Sequence, residues 1–214
     1  MARVEKDREK KLYRLDLRDD LSAIEVRWLN RPGSGPLRGP HKHPLGLSPW
    51  AATGSGMPTD MERPQFEINV DSSDALRDAL AAYGSRFLVS ARLKDLLSSL
   101  DPGAFQFVEA STILNWIGGK QEGPTYFMCD VIKFVDANNE SNSSKQEKGA
   151  PPRAVGIYGN QNCFFQSRIG ANRVFRLMYS PSVIACTEEA RSLLLKEHIS
   201  GLGFRVLGTI DARS

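Results

Sequence analysis

An α+β fold, with a mixed or mainly antiparallel sheet and helices packed on it, is the architecture this sequence predicts. Three observations carry the prediction. Two stretches, Phe87 to Ala110 and Val183 to Ile210, each read as strand, capped helix and strand, with a similar distance from cap to following aromatic strand (Ser90 to Phe105, Thr187 to Phe204). That match reads as two related strand–helix–strand units. The runs between them, 125–137 and 162–180, are rich in the aromatic and β-branched residues that strands favour. Finally, 214 residues of ordinary globular composition are enough to bury about 70% of the unfolded chain's surface, so neither disulfides nor metals are needed to hold a core.

Taken in order, LYRLDL (12–17) alternates Leu12, Arg14 and Asp16 against Tyr13, Leu15 and Leu17, the pattern of a half-buried strand. IEVRWL (24–29) is a second strand, with Ile24, Val26 and Trp28 opposed to Glu25 and Arg27. From Asn30 to Pro64 the chain has seven prolines and six glycines. Proline removes backbone donors and glycine raises the entropic cost of order, so a long loop over the fold is expected there, anchored by Trp50. Residues 1–65 therefore read as a charged, Pro/Gly-rich region packed on a main domain of residues 66–214.

In that main part a helix is predicted over 74–83, opening after Ser73, with Leu76, Leu80 and Tyr83 on one stripe and Gly84 as its stop. FLVS (87–90) is a short strand. Ser90 then caps a helix over 91–100, whose Leu93, Leu96, Leu97 and Leu100 recur at helical spacing. Asp101-Pro102-Gly103 ends it, because the pre-proline residue disfavours helical ψ and glycine permits the turn, and FQFVEA (105–110) follows as a strand. Towards the C-terminus VIAC (183–186) leads to Thr187 as a cap, with Glu188 and Glu189 at the positive end of a helix over 188–200. Ala190, Leu193, Leu194 and His198 form its stripe, Gly201 stops it, and FRVLGTI (204–210) is the last strand. The polar tract 137–153 reads as a mobile loop.

The chemistry-bearing residues are sparse. Net charge is +3, divided as +3, −4 and +4 over residues 1–60, 61–150 and 151–214, with no Lys/Arg block of the kind that tracks nucleic acid. No apolar run approaches the ~20 residues of a membrane span, and the charged N-terminal stretch lacks the core of a signal peptide, so a cytoplasmic protein is expected. Cys129, Cys163 and Cys186 are odd in number and widely spaced, as reduced thiols are. Cys129 and Cys186 sit inside apolar strands as small hydrophobes, and His198 reads as a partly buried imidazole, so no nucleophile and base are paired. His41-Lys42-His43 lies between prolines without a third ligand, and no metal site is assigned. Gly118-Gly119-Lys120 lacks the leading glycine and the hydroxyl residue of a phosphate loop, and Gly156 and Gly159 lack a third glycine; both read as turns. Asp130 interrupts an apolar strand, so its carboxylate must be exposed, paired or accepting backbone hydrogen bonds; for a partner, Arg173 and Arg176 are the candidates. No catalytic residue and no cofactor emerges.

The runs FLVSARLKDLLSSLDPGAFQFVEA, YFMCDVIKFVDA and ANRVFRLMYSPSVIACTEEARSLLLKEHISGLGFRVL, taken together, resemble immunity family eleven. Its members are bacterial proteins encoded beside polymorphic toxins, often nucleases. The resemblance spans roughly Arg86 to Leu207 and departs at the Ser/Asn/Lys-rich stretch 138–148. It implies a cytoplasmic protein that binds and neutralises a cognate toxin, of nuclease type, without catalysis. The competing classes are an enzyme with an unrecognised site and a nucleic-acid-binding module. For the partner surface the residues singled out are Glu109, Trp116 and Glu122: an aromatic beside a glycine turn, flanked by carboxylates, is a common construction for an interface hot spot. The acidic segment 61–150 supplies such a patch whatever the overall charge.

Overall fold

The structure, a computed structural model, describes residues 10–17, 24–31, 56–58, 61–71, 76–82, 85–138, 162–178 and 180–211. In chain order the strands are β1 (Lys11–Leu17), β2 (Glu25–Trp28), β3 (Gln65–Asn69), β4 (Ala79–Ala81), β5 (Phe87–Ser90), β6 (Phe105–Trp116), β7 (Gly119–Glu122), β8 (Tyr126–Val131), β9 (Phe134–Val135), β10 (Asn162–Phe165), β11 (Val174–Leu177), β12 (Ser180–Thr187) and β13 (Leu202–Asp211). The helices are α1 (Ala91–Leu100), the single turn α2 (Gln166–Ile169) and α3 (Glu188–Lys196). The protein is thus predominantly β, and it has two sheets where one was expected. The first runs β10-β13-β1-β12-β11-β9, the second β2-β3-β6-β8-β5-β4, with β7 extending the second along β6. Antiparallel pairs dominate both, with β10–β13, β11–β9 and β3–β6 parallel. In sequence the chain does run β5-α1-β6 and β12-α3-β13, but in neither stretch do the two strands pair. β8 lies between β5 and β6, and β1 between β12 and β13.

Alternation explains why FLVS and VIAC show no polar face. Phe87 and Val89 of β5, Tyr13 and Leu15 of β1, Ile184 and Cys186 of β12, and Cys129 and Val131 of β8 all enter a core between the two sheets. Their neighbours Leu88 and Met128 face a core on the outer side of the second sheet, and Leu12, Val183 and Ala185 one on the outer side of the first. Strands buried on both faces read as continuous apolar runs. Both longer helices close the central core, α1 with Leu93, Leu97 and Leu100 and α3 with Ala190 and Leu194. Their caps form as the sequence predicts: the Leu93 N–H donates to Ser90 Oγ at 3.2 Å and the Ala190 N–H to Thr187 Oγ1 at 3.4 Å.

Four expectations are corrected. The helix over 74–83 does not form where the chain is described, because Leu80 lies in β4, paired antiparallel with β5. Its helical periodicity loses to a tertiary competitor. The Asp78 carboxylate accepts from Ser90 Oγ, Ser200 Oγ, the Ser200 N–H and Arg92, while the Ala79 N–H donates to the Ser200 carbonyl. The helix over 188–200 ends at Lys196, and His198 is exposed with φ +52 beyond it, not part of the buried stripe. Arg92 covers its end by donating to the Glu197 and His198 carbonyls. The strand over 105–110 continues to Trp116. Finally, 125–137 and 162–180 are not continuous strands. The first leaves one sheet as β8 and joins the other as β9, and α2 with a turn breaks the second. Trp50, His41-Lys42-His43, Gly156, Gly159 and most of the tract 137–153 lie outside the described residues.

The sheet change at Ile132–Lys133 is fixed by a buried ionic cluster. Asp130 bonds Arg176 Nη2 at 2.8 Å and Arg86 Nε at 3.1 Å, and Asp130 and Arg176 are wholly inaccessible to solvent. Arg176 also donates to the carbonyls of Val131, Pro181 and Ser85, so most of its fork is satisfied by backbone. Of the two expected partners only Arg176 is used. Arg173 instead donates its backbone N–H to Asp101 and its guanidinium to the Leu100 carbonyl. Arg86 had no periodicity to betray it.

Candidate binding surface

β6 is twice the length of most strands here, and it has two sets of partners. Its first half pairs with β8, and its second half, Ser111–Trp116, lies between β3 and β7. The register on the β7–β8 side shifts by one residue around Gly123–Thr125, where the Gly123 N–H donates to the Thr112 carbonyl and Thr112 Oγ1 donates to the Pro124 carbonyl at 2.6 Å. Such a bulge bends and twists a strand pair. Beyond it the hairpin β6–β7 carries only exposed residues on its return strand. It turns at Ile117-Gly118, and Gly119 opens β7 with φ +113, a conformation that glycine supplies without strain. The Trp116 indole covers Gly118, whose missing Cβ would sit 3.0 Å from the ring.

Of the three residues singled out from the sequence, Trp116 and Glu122 lie on this hairpin, and Glu109 lies on the earlier half of β6, opposite Phe127 of β8. Glu109 forms an ion pair with Arg63, both half-exposed. Glu122 is opposite Ile113 in the β6–β7 ladder, so it shares the face of Glu109 and Ile113. Trp116 is one residue out of phase with them and points to the other face at the strand end, 38% exposed and in none of the three cores. The structure therefore puts Glu109 and Glu122 on one face, four β6 positions apart, and Trp116 on the other. Gly118 lies in a turn as expected, whereas Lys120 belongs to the return strand.

On the Glu109 face an open groove of about 510 Å³ runs between β3, β6 and β7, lined among others by Arg63, Gln65, Ser111, Ile113, Lys120 and Glu122. Its charges are mixed. Lys120 pairs with Glu67 at 2.9 Å, and that ion pair, with help from Asn115, holds the Glu67 carboxyl below its ordinary range against the opposing effect of desolvation. Glu122 has no ion-pair partner among the described residues. Sequence reasoning passes over the tip itself. Ile117 is 96% exposed, the most accessible of the large apolar side chains among the described residues. The available signal is a large apolar residue directly before the glycine pair of a turn, where it has no core to enter.

The remaining sequence candidates do not assemble. Burial drives the Cys129 thiol far above its usual range and the Cys186 thiol up to about 12, so neither supplies thiolate at neutral pH. Among the described residues no group of His, Cys, Asp and Glu is placed to hold a metal, and no helix is long and apolar enough to cross a membrane.

Comparison with known proteins adds one match: the immunity protein family Imm11 fits residues 12–209, nearly the whole of the chain. No curated protein matches the sequence.

Proposed function

This chain belongs to the immunity protein family Imm11, and from that premise we propose that it neutralises a cognate toxin by binding it about one to one, without turnover. The toxin is of nuclease type and acts in the cytoplasm, where this protein meets it. The single observation that carries the reading is the family match across residues 12–209. Two features support it. The Cys129 and Cys186 thiols are buried and protonated, and the exposed hairpin offers apolar and acidic side chains on one projecting element. Glu109, Trp116 and Glu122 are the residues through which we expect the toxin to be held.

The test is co-expression of toxin with this protein or with its Cys129→Ala, Cys186→Ala and His198→Ala variants, together with light scattering of the purified complex. Full protection by each folded variant and a one-to-one mass are expected. A variant that binds toxin but no longer protects would mean that chemistry is involved, and the binding reading would fail. An enzyme or a nucleic-acid-binding module is the rival class, and strongly salt-dependent binding to DNA would favour the latter.

A further inference from the structure

Building on the immunity reading, we propose that the tip of the β6–β7 hairpin is the anchor of the toxin interface. Ile117 enters an apolar recess of the toxin, and a cationic side chain at the rim of that recess pairs with Glu122. Ile117 is 96% exposed and belongs to none of the three cores, so folding makes no use of it. The backbone at Ile117 is outside the left-handed region and imposes no residue type, so isoleucine there serves neither the turn nor the core and leaves apolar surface in water. The turn that carries it is shaped by its neighbours: Gly119 takes a positive φ, and the indole of Trp116 lies over Gly118. A β-branched side chain has few rotamers to lose on docking, which favours its use as an anchor.

The charges choose the kind of partner. Arg63 is paired with Glu109 and Lys120 with Glu67, while Glu122, the carboxylate on the return strand of the hairpin, has no ion-pair partner among the described residues. An acidic group beside an apolar plug matches a surface that is apolar at its centre and cationic at its rim. A second copy of this chain does not fit, because a two-fold contact at the tip would bring like Glu122 side chains together. Strand addition along β7 does not fit either. The strand has four residues, and Pro124, which lacks an N–H, follows just beyond it.

The experiment is calorimetric titration of the full chain with the toxin domain encoded beside its gene, for the wild type and for Ile117→Asn, Glu122→Lys and Leu195→Asn, the last an exposed apolar residue on α3. Ile117→Asn should weaken binding about thirtyfold, the loss typical of a truncated hot spot, while leaving Tm unchanged or slightly raised. Glu122→Lys should weaken it about tenfold, and Leu195→Asn should leave it unchanged. Wild-type binding with an undiminished affinity for Ile117→Asn would overturn the anchor and leave the immunity reading standing. A photo-crosslinker at position 117 that joins two copies of this chain would also overturn it. Absence of binding by the wild type would remove both.

Discussion

Asp130 shows what a single buried carboxylate does in this fold. It lies between Arg86 and Arg176, and all three are almost completely withdrawn from water. Burial lowers the Arg176 pKa, while Asp130 works against that shift by bonding the charged guanidinium. Removing the carboxylate's charge leaves two guanidinium groups buried together, so Asp130→Asn should cost about 3–5 kcal/mol in a urea titration. Breaking the half-exposed Arg63–Glu109 pair should cost under about 1 kcal/mol by the same measurement. Asp78 gives a pH signature instead. Desolvation would raise its pKa, but bonds from Arg92, the Ser200 N–H and the hydroxyls of Ser90 and Ser200 prevail and hold it at about 2, against the ordinary 3.8. A depressed folded value means that the stabilisation is complete above the unfolded value and is lost as pH falls through the folded one. Acid titration should therefore show stability declining between about pH 4 and 2, and Asp78→Asn should flatten that decline.

Among the elements, α1 is the one whose sequence and packing agree most closely. Leu93, Leu97 and Leu100 of its predicted stripe are the residues it buries, so Leu97→Ala should cost about 2–5 kcal/mol, read from the shift of a denaturant midpoint. The loop after α3 depends on close backbone approach. Gly201 has φ +87, and a methyl group there would collide with the Ala79 carbonyl oxygen, whereas Gly103, at φ +81, has open space around it. Both Gly→Ala changes carry the left-handed strain of roughly 1–2 kcal/mol. Gly201→Ala should be the more damaging by thermal melts, since it must also push β4 away from the α3–β13 connection. β4 itself shows the limit of periodicity. Leu76 and Leu80 have helical spacing, yet Leu80 is buried in a strand because Asp78 finds four polar partners at Ser90, Arg92 and Ser200.

At the scale of the whole molecule, one core is shared by both sheets and both longer helices, and the Asp130 cluster ties β8 to β11. Unfolding should accordingly be a single transition, with the fluorescence of a Trp50→Phe variant, which reports on Trp28 and Trp116 in the second sheet, coinciding with far-ultraviolet circular dichroism from the whole chain. Separated midpoints would show that the sheets melt independently. Much of this design is legible in the residues alone. Local rules fix the caps at Ser90 and Thr187, the leucine stripe of α1, the strands at 12–17 and 204–210 and the need of the Asp130 carboxylate for compensation inside an apolar strand, because each depends on neighbours within a few positions. The family, too, is readable from the order of its motifs. Tertiary structure alone decided that there are two sheets, that 125–137 divides between them, that Arg86 joins Asp130, and that Glu109 and Glu122 share a face while Ile117 leads the hairpin. The reason is physical. Strand pairing, ion pairing and exposure are set by residues tens of positions apart, and no periodicity within a strand records which distant strand it will meet.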